Sequence, residues 1–362
     1  MKLRLDRLEV PGEHEARERA WQVVRAAYAE REPVPRPRRR LAPALALGAV
    51  AAVAAFALSP PGRAVVDSVR HAIGIESAEE ALFSLPAPGR LLVVSDAGAW
   101  AVGEDGSARR LGDFREAGCS PFGRFVVAAG QDELAALEPD GDVRWKLSRP
   151  GVRTPQWGGT LADTRVAYVS QGAVRIVAGD GTGDRALTAG RAAAWVPGSV
   201  RLLAVSRPRG VSLVDVERRE TRWTTSVPAA KLAWSADGTR LLALDAGRYA
   251  VLSAAGKVLT RGAASTAAFA PRGHALALVR RTGTGSELVV GGRLRFQGTG
   301  TFADATWSPD GRWVAVAWPE ADQLAFVRAA GPRRIRASAN VAEQFDSASS
   351  PRLAGWCPPP PS

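Results

Sequence analysis

The chain has 362 residues, 46% of them hydrophobic, and a formal charge of +12, so it has room for a large core with smaller appendages. Of its 48 basic residues only Lys2, Lys146, Lys231 and Lys257 are lysines, and the arginines are spread through hairpins rather than massed on one helix or ribbon, which argues against nucleic acid as a partner. His14, His71 and His274 have no ligand partner at helical or hairpin spacing, so neither a metal nor a cofactor is expected.

Residues 1–40 read as a basic cytoplasmic segment. Within it, residues 13–32 form an amphipathic helix, preceded by Pro11-Gly12 and stopped at Pro33. Ala16, Ala20, Val23, Val24, Ala27 and Tyr28 give it one apolar side, with Trp21 close by. A lone helix has nothing of its own to bury that side against, which makes Trp21, Val24 and Tyr28 candidates for docking a cytoplasmic protein; the alternative is a solvated helix that merely leads into the membrane. A stiff Pro- and Arg-rich spacer, residues 33–40, comes next.

Residues 41–58 contain no charge and as a helix would extend about 27 Å, close to the hydrocarbon thickness of a bilayer. With Arg38-Arg39-Arg40 just before them, the positive-inside rule keeps the N-terminus in the cytoplasm and exports the chain beyond residue 58. A cleavable signal peptide ending near Ala55-Phe56-Ala57 is the other reading, although its leader would be unusually long. Residues 59–81 read as a juxtamembrane connector.

From residue 82 to 357 the chain repeats itself. A bulky or Cys residue followed by turn chemistry recurs at Cys119, Trp157, Trp195, Trp234, Phe269, Trp307 and Trp356, with spacings of 38, 38, 39, 35, 38 and 49. The fullest copy is Trp307-Ser308-Pro309-Asp310-Gly311, where Asp-Gly tolerates the positive φ of a tight turn. Strands are predicted around it at residues 312–318, 323–328, 333–337 and 352–356. A period near forty with four short strands per unit is what a propeller blade requires. The marker aromatics then fill the wedge between blades.

These motifs resemble the WD-repeat-like and TolB-like β-propellers, in which Trp/Phe-Ser-Pro-Asp-Gly marks each blade. The resemblance covers residues 82–356, strongest at Trp234–Gly238 and Trp307–Gly311. The Gly-His and Trp-Asp pair of true WD repeats is absent, so a degenerate member is implied. The ends set the blade count. Strands at residues 90–95, 100–104 and 108–112 lack an inner strand before them, and Leu353–Trp356 is an inner strand with nothing after it. Joined, they close a mainly β, seven-bladed propeller without open edges; six blades is the alternative.

Closure makes the first and last units neighbours, so Cys119 and Cys357 are a disulfide candidate in an oxidising compartment, with two buried thiols as the other possibility. A Pro-rich tail, residues 358–362, is expected to be disordered. No catalytic constellation stands out: there is no Gly-x-Ser-x-Gly elbow, His274 falls in a turn, and the Asp140-Gly141-Asp142 and Asp180–Asp184 stretches read as hairpin turns rather than Ca²⁺ loops. No convergent His or carboxylates are expected at the central channel. The layout of short inner segment, one span and exported domain is similar to transmembrane anti-sigma factors, without that family's zinc-type signature. Three functions fit: an anchored extracytoplasmic binding or sensor module with a cytoplasmic partner such as a sigma factor; an exported scaffold in envelope assembly or transport; and a propeller hydrolase or lyase.

Overall fold

The computed structural model describes residues 84–360 and the backbone of 75–79. The amphipathic helix at 13–32, with Trp21, Val24 and Tyr28, and the apolar stretch at 41–58 lie outside the described residues. Among those described, no helix is long and apolar enough to cross a membrane.

Seven antiparallel sheets form a closed ring of blades. Blade 1 is assembled from both ends: its inner strand is Arg352–Cys357, and Arg90–Ser95, Gly98–Val102 and Ala108–Gly112 succeed it outward. Blades 2 to 7 begin with the inner strands Glu116–Cys119, Arg153–Gly159, Ala192–Trp195, Lys231–Trp234, Thr266–Phe269 and Ala303–Trp307. Seven is therefore the blade number, and the repeats at Trp157 and Trp195, which carry the least of the Ser-Pro-Asp-Gly turn, are full blades. The second strand of the first hairpin starts at Gly98, two residues earlier than expected, because Asp96-Ala97 closes the turn tightly and Gly98 takes φ +121° beside the carbonyl oxygen of Gly112.

The Ser-Pro-Asp-Gly turn has a clear physical basis. Ser308 Oγ donates to Asp310 Oδ1 (2.6 Å) and accepts from the Trp313 N–H (2.9 Å), while Asp310 Oδ1 accepts from the Arg312 N–H (2.9 Å). Gly311 completes the turn at φ +71°. Ser235, Asp237 and Gly238 repeat this arrangement in blade 5. Side-chain oxygens here satisfy backbone donors that a tight turn would otherwise leave unpaired.

Packing is between blades. Each apolar cluster joins two neighbouring sheets, and the cluster spanning blades 6 and 7 includes Phe296, Phe302, Trp307 and Trp318. The seam between blades 5 and 6 is the thinnest, with only Ala264, Leu278 and Val289 buried in its cluster. Trp157, Trp195, Trp307 and Trp356 are buried, and Trp234 and Phe269 half-buried. The indoles of Trp234 and Trp307 each reach an inner strand at an earlier position in the ring, donating from Nε1 to the carbonyls of Ala194 and Ala268 (both 3.1 Å).

Two segments differ from the expectation. The connector ends in a strand, Ile75–Glu79, which pairs in parallel with Ile335–Ala339 and gives blade 7 a fifth strand. Ile335–Ala339 is the outer strand that exposes least, Arg336 being its one exposed residue; the outer strands of the other blades alternate charged or polar side chains into solvent, which blunts a free edge. The Pro-rich tail begins packed rather than loose: the Pro358 carbonyl lies so close to Gly123 that a Cβ there would come within 1.9 Å of it.

Candidate functional site at the mouth of the central channel

Up-and-down strand order gives the ring two distinct faces. One carries the turns between first and second strands and between third and fourth. The other carries the turns between second and third strands and the links between blades, and there the inner strands begin.

The inner strands surround a cavity of about 300 Å³, at the small end for a ligand site. Its walls are mostly small, with Ala117, Ala193, Ala233, Ala267 and Ala354 drawn from five blades. At the face where the inner strands begin, the lining turns polar: Arg115, Glu116, Thr154, Gln156, Lys231, Asp304 and Arg352. Four of these, Glu116, Thr154, Lys231 and Asp304, stand three residues before their marker, and Arg352 stands four before Trp356. The repeat therefore places the same strand position of different blades around one opening.

Two of the positions are distorted. Thr154 has φ +49° and Asp304 φ +44°, each in a bulge where the inner strand slips register against its neighbour. A β-branched residue rarely takes this conformation, and bulges re-aim side chains at the rims of closed sheets. The bulge turns the Thr154 N–H onto Glu116 Oε2 (2.5 Å). It also places Asp304 between two cations, 3.6 Å from Arg352 Nε and 3.9 Å from Lys231 Nζ. Thr154 Oγ1 and Asp304 Oδ2 are both buried without a hydrogen-bond partner among the described residues. The mouth is thus a strained ring holding both signs of charge, with two oxygens that make no hydrogen bond among the described residues although one is ion-paired, above a channel lined by alanines. Such a ring suits holding a polar group inserted from the face.

This corrects the expectation that no carboxylates converge on the channel. Glu116 and Asp304 come from blades 2 and 7, far apart in sequence, and ring closure brings them to one opening. Each already has partners, Glu116 the Thr154 backbone N–H and Asp304 two cations, and among the described residues neither carboxylate hydrogen-bonds a hydroxyl or thiol. His274 lies on the opposite face, where Nε2 approaches both Asp237 Oδ2 (2.8 Å) and Thr239 Oγ1 (3.0 Å). A relay needs the two ring nitrogens on different partners, and here one nitrogen meets both. Hydrogen bonding, first from the Ser235 hydroxyl, holds the Asp237 carboxyl far below the ordinary range.

Asp180 closes its own turn by accepting from the N–H and hydroxyl of Thr182, and Asp184 is bound by Arg149, Arg175 and Tyr168. Among the described residues no group of three or more His, Cys, Asp or Glu side chains could hold a metal ion. Cys119 and Cys357 are joined as a disulfide with Cα atoms 5.3 Å apart, linking the inner strands of blades 1 and 2 on the marker side of the channel.

Fold and channel together define a seven-bladed β-propeller of WD-repeat-like architecture. The C-terminal WD40 domain of Sif2 is similar to it with a TM-score of 0.50 at 12% identity, over 78% of this chain and 87% of that domain. The β-propeller domain of Cps50 (Swd1) from Myceliophteria thermophila gives 0.48 at 15% identity, over 61% and 84%. Hydrazine synthase of Kuenenia stuttgartiensis gives 0.46 at 12%, over 68% and 78%. No family model and no curated protein matches the sequence.

Proposed function

We propose that this protein is a membrane-anchored extracytoplasmic propeller that binds a ligand or partner on the face holding the channel mouth, and that residues 1–40 pass the binding state to a cytoplasmic protein such as a sigma factor. The strained polar mouth carries the binding half of this reading, since backbone strain of this kind concentrates where a site is pre-formed. The charge-free stretch at 41–58 with its preceding arginines supports the anchor and orientation. The apolar stripe with Trp21, Val24 and Tyr28 supports the cytoplasmic contact.

The test is an affinity capture from native cytosol with residues 1–40 as bait, against the same bait carrying Trp21→Ser, Val24→Ser and Tyr28→Ser. One protein retained by the first bait and lost with the second, identified as a sigma factor or other regulator, is the expected result. Equal recovery or none from both removes the cytoplasmic output. The reading then becomes an exported binding scaffold with the same propeller site, which the blunt, well-packed ring equally supports. A hydrolase or lyase is the least supported reading, because among the described residues neither mouth carboxylate hydrogen-bonds a hydroxyl or thiol.

A further inference from the structure

The turns between second and third strands line up around the channel-mouth face, one per blade, and their charges are sorted. Blades 7, 1 and 2 contribute Glu320 and Asp322, then Asp96, then Asp132 and Glu133. Blade 3 contributes the neutral pair Gln171-Gly172. Blades 4, 5 and 6 contribute Arg207 and Arg209, then Arg248, then Arg280 and Arg281. Counted over these turns alone, the face is acidic on one side of the channel and basic on the other.

The two sides differ in how their charges are used. On the acidic side Asp96 accepts from Ser347 and Ser349, and Glu133 pairs with Lys146. On the basic side none of the five arginines has a side-chain hydrogen bond or ion pair among the described residues, and the Nε of Arg207 is buried without a partner. Two acids stand within the basic arc: Asp245 is paired with Arg191 at 3.3 Å, and Glu287, half-buried, faces Arg280 across the blade 6 hairpin without an ion pair to it among the described residues. Arg209, Arg248, Arg280 and Arg281 are exposed. Arg280 and Arg281 also border an open cleft of about 660 Å³, floored by Gly247, Ala263, Ala264 and Ser265. It lies over the thinly packed seam between blades 5 and 6.

We propose that this arc of unpaired arginines is the docking surface for an acidic polypeptide segment lying across blades 4 to 6. The inference rests on the reading of the propeller as a binding module and names the chemistry of its partner. Guanidinium groups match carboxylates in planar, two-point contacts, and the small-residue floor of the cleft leaves room for an extended main chain. A flat anionic bilayer fits less well, because it would meet the acidic half of the same face. Nucleic acid fits less well too: the one aromatic beside the five arginines, Tyr249, is half-buried and packed against the seam cluster, which leaves no open ring face on which a base could stack.

The test uses full-length protein in mild detergent and a fluorescein-labelled oligo-glutamate peptide, read by fluorescence anisotropy. Oligo-glutamate binds, weakens as salt is raised, and loses roughly tenfold or more in affinity with Arg248→Glu, Arg280→Glu and Arg281→Glu together. Replacement of the same three by Gln gives a smaller loss, which separates charge from misfolding, and circular dichroism of each variant matches the parent. Arg272→Glu with Arg293→Glu, outside this arc, leaves binding unchanged. Absence of binding, equal loss with the control pair, or preferential binding of oligo-deoxythymidine or anionic vesicles over the peptide overturns the proposal. So does salt-sensitive self-association of the protein that the same variants abolish. Residues 1–40 are the same in every variant of this assay, so an empty cytosolic capture and a failed peptide titration are separate results.

Discussion

Replacing Cys119 and Cys357 together by Ala tests the ring closure most directly. The bond joins residues 238 apart in sequence, and for a loop of that size the chain-entropy relation gives about 5.5 kcal/mol, an upper figure because measured effects mostly fall at about 2–4 kcal/mol. The last inner strand is also held by its pairing with Arg90–Ser95, so the ring still closes without the bond. A loss of about 3–5 kcal/mol is expected. With an unfolding entropy of roughly 0.6 kcal/mol per kelvin for a domain of this size, the melting temperature drops by roughly 5–9 °C. Scanning calorimetry of wild type and variant, each with and without reductant under denaturing pre-treatment, reads this out. Reductant should bring the wild type down to the variant and leave the variant unmoved. Two free thiols titrating in the unreduced, denatured wild type would refute the reasoning, as would a variant that melts with the parent.

Other parts of the ring give three further expected outcomes. The Asp215 carboxyl, nearly fully buried, is held down at about 2 by the Arg218 backbone N–H, with Arg222 and Arg201 adding to it. Because its folded value is depressed, its stabilisation is complete above the ordinary carboxylate range and fades as pH falls from about 4 toward 2; Asp215→Asn should flatten the acid limb of a urea-midpoint profile in that window, and an unchanged limb counts against the assignment. Thr154→Gly relieves a left-handed β-branched residue, so chemical denaturation should find it neutral or more stable by up to about 1 kcal/mol, whereas a loss beyond about 1 kcal/mol contradicts the strain reading. Amide exchange should be faster at Ala264 and Ser265, in the link at the seam between blades 5 and 6, than at Phe302, in the link packed into the Phe296–Phe302–Trp318 cluster, and equal protection at both links removes the ground for calling the first seam thin.

The blade rhythm was legible because its causes are local. A Trp at the end of an inner strand, Ser and Asp oxygens capping the next turn and a Gly at positive φ act within five residues, so Trp307–Gly311 shows the same chemistry alone as in the ring. The closure was legible from its ends, since three strands without an inner partner and one inner strand without followers can pair only with each other. The site was not legible in the same way. Glu116, Thr154, Lys231, Asp304 and Arg352 occupy nearly one column of the repeat, three or four residues before each marker, but as isolated letters they differ too much to form a motif. The bulges that turn Thr154 and Asp304 into the channel depend on pairing with the neighbouring strand. Arginines that look scattered along the chain gather because a propeller sets equivalent turns of successive blades side by side on one face. Sequence alone determined the repeat, the strands and the circular closure, all of which depend on short-range periodicity and turn chemistry. Which side chains meet at the mouth, which charges find partners and which arginines are left without any was decided only when the ring closed, because those contacts join residues one or more whole blades apart.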